Sequence, residues 1–455
     1  MKSAKPNNAR RAKNARLKAS NRFGVSASAG GARESARLPL LSSALVDTVA
    51  PPAEGRTPNP KHLRGIRRHH KGPIIVFGIL FWFPLAGVTY QFLHFLLGLR
   101  RLGYDPYYIE DSGRWVYDPA LNDLSPDATG NLKAVVPILE AHGFKERWAF
   151  RGNYPGGRCH GMTEEKILRL YREANAFLNV TGAQELREEH LVCPRRIYVE
   201  TDPVAAQIKV AQGNKETIAA LKAHDTHFSY GGNFGKPDCR VPLEGFKWLP
   251  TVQPVLLDLW KNNLPRANGA AFNTIATWKN KGKDIVFNGE TYYWSKDREF
   301  KKIFDLPKRR SVPFELAVGV DDKIRKSLET NGWRIIDPIK LSSDMSCYRN
   351  FILKSRGEFT VAKDQNIRLR SGWFSDRSAC YLAASRPVIN QDTAFGSYLP
   401  TGKGLFSFQN MDDILSAVDE IESDYEGNCR AAREIAAEHF SAEKVLHRLI
   451  TRAGL

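Results

Sequence analysis

The chain has 455 residues, 42% of them hydrophobic and 25% charged, which suits a soluble globular protein of two core domains plus an appendage. Its net charge of +18 suggests a nucleic-acid partner, but residues 1–71 hold 16 Lys or Arg against 3 Asp or Glu, which leaves only +5 for the rest. Six scattered cysteines show no CxxC pair and no Cys/His zinc spacing; their even count is weak evidence for disulfides, and free thiols in a reducing, cytoplasmic setting are the better reading.

Residues 1–71 carry too little apolar surface to offset their ordering entropy and are expected to form a disordered basic tail. Its Arg- and Ser-rich, acid-poor composition also fits an organellar transit peptide. Such a tail allows non-specific, peripheral contact with acidic lipid or nucleic acid and encodes no specific nucleic-acid site. The apolar run from Gly72 to Arg101 is long enough for a membrane span, but Pro84, Gly87, Thr89, Gln91 and His94 interrupt it. The better reading is a strand (Ile74–Leu80), a loop through Pro84-Leu85-Ala86-Gly87 and a helix (Val88–Leu102). A second strand at Tyr107–Ile109 completes a βαβ opening on a parallel sheet.

Helical patterning dominates from Leu132 to Gly182, with a glycine-rich loop over Arg151–Gly161, a helical stretch over Glu164–Leu178, and a strand or turn expected at Phe177-Leu178-Asn179-Val180. A strand follows at Arg196–Glu200, with Glu200, Thr201, Asp202 and Pro203 at its carboxyl end. Carboxylates there fit a catalytic base, so Glu200 and Asp202 are the catalytic candidates; Asp-Pro is also an ordinary turn starter. His224 and His227 lie three apart with no third ligand at hand and read as a polar rim rather than a metal site. A boundary between two α/β halves falls near Asn268.

The second half alternates again. Strands are expected at Ala271–Trp278, Asp284–Asn288, Pro313–Leu316, Trp333–Ile336 and Gly357–Ala362. Helices are expected at Lys296–Phe304, Asp321–Asn331, Ser346–Ser355, Met411–Asp424, Asn428–Phe440 and Ala442–Arg452. Lys279, Lys281, Lys363 and Arg370 fall on strand-end loops, where each also reads as solvated surface. Within Ser371–Thr393, Ser375 and Asp376 can cap a short helix that also holds Arg377 and Ser378, and Val388-Ile389 is a strand. A helix N-terminus suits a phosphate, and polar groups at a parallel strand's carboxyl end face the crevice where open α/β sheets bind ligands. A capped helix with no ligand satisfies the same residues.

The string GEFTVAKDQNIRLRSGWFSDRSACYLAASRPVINQDTAFGSYLPTGKGLFSF, Gly357 to Phe408, resembles the bacterial family-1-type glycosyltransferases, and PLAGVTYQFLHFLLGLRRLGYDPYYIED is similar to the usual GT-B opening. The resemblance covers about Pro73 to Leu455. It implies an α/β, GT-B-like fold: two facing Rossmann-like domains with an interdomain cleft, an acceptor domain over residues 72–268 and a donor-nucleotide domain over 269–455. It also implies a nucleotide sugar as co-substrate, no resident cofactor, and transfer to an unidentified acceptor. Asp392 and Thr393 resemble the pair that holds donor-sugar hydroxyls, and Gly87 with Thr89 would let the first loop approach the donor phosphates. The chain has no Asp-x-Asp, so metal-independent transfer is expected, with Lys, Arg and a helix N-terminus taking the diphosphate charge. Gly372 and Cys380 stand where the family carries two glutamates. That departure keeps two rivals open, a non-catalytic nucleotide-sugar-binding relative and a nucleotide-sugar epimerase.

Overall fold

The computed structural model describes residues 71–152, 158–261, 270–280 and 282–455. The expected tail (Lys71 apart), the boundary at Asn268 and the donor-site candidate Lys281 therefore lie outside the described residues.

Two parallel sheets organise the chain. The first contains β1 (Pro73–Phe77), β2 (Asp105–Glu110), β5 (Trp148–Arg151), β6 (Cys159–Gly161), β7 (Ala176–Val180), β8 (Arg196–Glu200), β9 (Thr226–Ser229) and β10 (Trp248–Pro250). Their order is β10-β9-β8-β7-β1-β2-β5-β6, parallel throughout except for β6. Between β2 and β5 a small hairpin pairs β3 (Val116–Asp118) with β4 (Asp123–Ser125). The second sheet contains β11 (Phe272–Ala276), β14 (Phe314–Val318), β15 (Arg334–Ile336), β16 (Gly357–Thr360), β17 (Val388–Gln391) and β18 (Leu405–Phe408), in the order β15-β14-β11-β16-β17-β18 and all parallel. A second hairpin joins β12 (Ile285–Phe287) to β13 (Glu290–Tyr292). Four helices matter below: α1 (Ala86–Arg101), α2 (Ala205–Ala211), α3 (Asp376–Ala383) and α4 (Ala442–Arg452).

The apolar opening run divides as its polar interruptions demand. Ile74 to Phe77 are fully buried, as a central strand covered on both faces must be. Pro84 falls in the connection, and no helix among the described residues is long and apolar enough to cross a membrane. The polar groups inside α1 find partners: the Thr89 hydroxyl donates to the Leu85 carbonyl at 3.1 Å, and Trp260 Nε1 donates to His94 Nε2 at 3.1 Å. Burial pushes the His94 pKa down to about 3, so it serves as a neutral acceptor.

Three expectations change. The helix predicted over Glu164–Leu178 ends at Glu173, and the strand or turn expected over Phe177–Val180 is the fully buried strand β7, which begins at Ala176. An apolar run of five fits a central strand as well as a helix end, and only the neighbouring strands decide it. The strand predicted at Asp284–Asn288 is one arm of an antiparallel hairpin instead of a member of the main sheet. The helix predicted over Asn428–Phe440 spans Tyr425–Ile435 and then widens into a π-turn over Ala436–Phe440.

Helix α4 belongs to the core of the first sheet: Leu446, Leu449 and Ile450 pack with Phe92, Phe95, Leu96 and Leu99 of α1. A side chain at Gly98 would collide with Leu446, so glycine there lets the two helices approach closely. Strand β1 lies between β7 and β2, and β11 between β14 and β16, so each sheet has a switch point at its centre.

Candidate functional site

A cleft of about 1260 Å³ runs between the carboxyl ends of the two sheets. Its first wall includes Asn179, Thr181, Glu200, Thr201 and Asp202, which follow or end β7 and β8; its second includes Ile275–Asn280, Gly319 and Lys363, which follow or end β11, β14 and β16.

The second wall is rich in cations: Lys279, Lys283, Lys296, Lys363 and Arg377 all line the cleft. The Lys363 ammonium sits 3.3 Å and the Lys283 ammonium 4.6 Å from the Trp294 ring centroid, so one indole holds two like charges. Burial, with Lys363 and Lys209 adding to it, lowers the Lys283 pKa to about 7. Burial, with Arg377 and Lys363 adding to it, lowers Lys296 to about 7 as well. Lys363 is lowered by burial against the pull of Asp202. Arg377 is fixed by Nε donating to Glu358 Oε1 at 2.6 Å and Nη2 donating to Thr360 Oγ1 at 3.0 Å. Glu358 is fully buried, and its second oxygen has no partner among the described residues. The acids that favour charge on Lys296 are Glu358 and, from across the cleft, Asp202. This wall therefore carries more positive charge than its own acids neutralise.

The first wall supplies carboxylates. Glu200 is buried at the end of β8, where its Oε2 accepts from Ser229 Oγ at 2.6 Å and from Gln207 Nε2 at 2.7 Å. Burial raises its pKa to about 8, against those two hydrogen bonds and with help from the Asp202 charge, so at neutral pH it is a carboxylic acid. Asp202 reaches across the cleft and ion-pairs with Lys363. Its side chain is 33% exposed, and its Oδ1 has no partner among the described residues. One residue earlier, the Thr201 carbonyl accepts from Trp373 Nε1 at 3.0 Å, a second strut between the walls.

The other sequence candidates divide. Ser375 lines the cleft as the N-cap of α3, with no side-chain cap bond. Asp376 follows, half-buried, and desolvation raises its pKa to about 7; its Oδ1 accepts from Gln91 Nε2 at 3.4 Å. Ser378 is fully buried and outside the cleft lining. Gly87 and Thr89 are not brought to the cleft either: Gly87 faces the Tyr348 hydroxyl, and Thr89 bonds within its own helix. Arg370 pairs with Asp238 at 2.7 Å and with Asp392 at 3.3 Å, and Thr393 Oγ1 donates to the Trp373 carbonyl at 2.6 Å. These three brace the loop ahead of α3 instead of lining the cleft. Gly372 has φ +75°, and a Cβ there would collide with the Asn233 backbone, which explains why no glutamate occupies the place. Of the two histidines expected on a polar rim, His224 lines the cleft and His227 does not; both are buried and bond to the carbonyls of Ala220 and Leu221.

Lys283, Trp294 and Lys296 escaped sequence reasoning. Lys296 read as the first residue of a helix, and only the hairpin β12–β13 folds Trp294 back over Lys283 and Lys363. The recurrence of Trp and Lys over residues 278–296 was the available signal. Among the described residues, Asp111, Glu189 and His190 bring metal-capable atoms together, but Arg151 and Arg187 both pair with Asp111 and Glu189, so guanidinium groups already supply the positive charge.

Two facing Rossmann-like domains with a ligand cleft along their carboxyl edges define the GT-B architecture. Among solved structures the chain is similar to an alpha-glucosyltransferase (AGT) in complex with UDP, with TM-score 0.53 and 10% identity over 84% of this chain and 100% of that one. It is also similar to an alpha-glucosyltransferase in complex with UDP-glucose and DNA containing an abasic site, with TM-score 0.51 and 10% identity over 84% of this chain and 99% of that one. At such identity the likeness is one of fold. No protein-family model matches the sequence, and no curated protein sequence matches it.

Proposed function

We propose that the protein is a metal-independent glycosyltransferase that moves a sugar from a nucleotide-sugar donor to an acceptor hydroxyl. The observation that carries this reading is the wall of Lys279, Lys283, Lys296, Lys363 and Arg377 at the carboxyl edge of the second sheet. Loss of a nucleoside diphosphate develops negative charge on its phosphates, and prepositioned cations in a half-enclosed cleft stabilise that charge. Arg377, held by Glu358 and Thr360, offers a fixed guanidinium, and Lys283 and Lys296 take up protons as the anion arrives. Across the cleft, Asp202 accepts the proton of the acceptor hydroxyl, while Glu200 stays protonated beneath it. The neighbours' complexes with UDP and UDP-glucose make these the first ligands to try.

A thermal-shift screen of nucleoside diphosphates and nucleotide sugars tests donor binding, since a ligand that binds only the folded state raises Tm. Failure of every diphosphate to raise Tm refutes the reading. Transfer or donor hydrolysis, measured with and without a chelator, then tests the chemistry and its metal independence. Gly372 and Cys380 in the glutamate positions favour one rival, a nucleotide-sugar-binding protein without turnover. A donor that binds and stays intact identifies that rival, and an isomerised donor without an acceptor identifies an epimerase.

A further inference from the structure

Beside the cleft the backbone adopts a conformation that valine resists. Val204 has φ +96° and ψ −50°, close to the rare γ-turn region, and β-branched residues are genuine outliers at positive φ. It is fully buried, in a cluster with Ile208, Leu221, Phe234 and Trp248, and it follows the Asp202-Pro203 step that leads out of β8. Strained backbone persists only where its surroundings over-determine it. Here a single buried amide contributes. The Val204 N–H donates to Gln207 Oε1 at 2.7 Å, and Gln207 Nε2 donates to Glu200 Oε2 at 2.7 Å. Gln207 lies in the first turn of α2, is 2% exposed, and is absent from the cleft lining.

We infer that Gln207 is a positioning residue: its amide holds the turn that aims Asp202 across the cleft and the carboxyl of Glu200 together as one unit. The inference rests on the reading above, in which Asp202 receives the acceptor proton. Both ends of the amide are used, which fixes its orientation: the oxygen must face Val204 and the nitrogen Glu200. The groups facing the Glu200 carboxyl are Asp202 on its own loop, Tyr198 on its own strand, Ser229 of β9 and Gln207 of α2. None of these four is a cation, so Glu200 stays a neutral carboxyl whose Oε2 is held in place by the Gln207 and Ser229 donors.

The test compares Gln207→Met, Gln207→Glu and Asp202→Asn in the full chain, with UDP binding followed by calorimetry and UDP-glucose turnover followed against pH. In Gln207→Met both bonds are lost; kcat falls by about 100-fold, the order expected when a reacting group is misplaced by about 1 Å, while the UDP Kd stays within about twofold. Gln207→Glu can still accept from Val204 but must share a proton with Glu200, so its turnover survives at low pH and fails as pH rises. A residue that only fills space would not give that pH-dependent difference between the two variants. Unchanged kcat in Gln207→Met beside an inactive Asp202→Asn overturns the inference alone. Full activity of Asp202→Asn overturns the reading on which it rests. Loss of folding in both Gln207 variants makes the residue structural and also overturns the inference.

Discussion

Lys296→Met is the perturbation that reads the cationic wall most directly, because methionine keeps most of the stem and removes the charge. Burial lowers the pKa of both Lys283 and Lys296 to about 7. A bound diphosphate favours their charged forms, so each lysine penalises binding by a factor of one plus ten to the power of pH minus pKa. That factor is about 2 at pH 7 and about 100 at pH 9, so one lysine raises Kd by about 50-fold over that range and two raise it by about 2500-fold. Calorimetric titration with UDP from pH 7 to 9 at constant ionic strength should give a log Kd slope approaching 2 in the parent and 1 in Lys296→Met. At pH 7 the variant also loses a charge-assisted contact worth about 1.5–3 kcal/mol, roughly 10- to 150-fold in Kd. Unliganded stability moves the other way. The folded-state pKa lies below the unfolded one, so the unfolded chain binds more protons between about pH 7 and 10.5 and stability rises with pH across that window. Removing Lys296 flattens the rise and increases Tm at pH 7. A pH-independent Kd in the parent, or a variant that binds UDP as the parent does, refutes the argument.

Other outcomes follow from the same geometry. Arg377→Ala leaves Glu358 buried without its cation, which costs about 3–5 kcal/mol in a urea melt and abolishes UDP binding. Arg377→Met combined with Glu358→Leu recovers stability without recovering binding, which separates the two effects. Gly372→Glu lowers stability by at least about 1–3 kcal/mol because of its positive φ and adds no turnover. Asp202→Asn abolishes transfer while calorimetry still detects UDP, since the cations of the opposite wall remain.

The sequence carried the fold further than the site. The strand and helix of the opening run were legible because Pro84 and Gly87 break the apolar stretch, and Arg196–Glu200 reads as a short apolar strand in the sequence and is β8 in the structure. Strand β7 was only half legible: a strand or turn was expected over Phe177–Val180, but the helical pattern ran on to Leu178, and Asn179 is acceptable in a central strand only once Gln184 and His224 are beside it. The site suffered from the same locality. Lys363 and Arg377 were visible from strand-end and helix-start positions, but Arg370, Asp392 and Thr393 occupy equivalent local positions and are consumed by one another and by the loop they brace. Which polar group is spent on folding and which is left for a ligand depends on partners beyond the local pattern, from 22 residues away for Arg370 with Asp392 to 161 for Lys363 with Asp202. Local pattern contains no such term.

The packing of α4 on α1 also bears on synthesis. Domains generally fold in the order in which they emerge from the ribosome. Here Leu446, Leu449 and Ile450 complete the core around Phe92, Phe95 and Leu99, so the first sheet stays partly uncovered until residues 442–452 have been made. During that interval an apolar helix face is exposed on the nascent chain while the whole second sheet is being translated. Chaperone dependence should therefore concentrate on α1, and a chain stalled after β18 should bind a holdase through it.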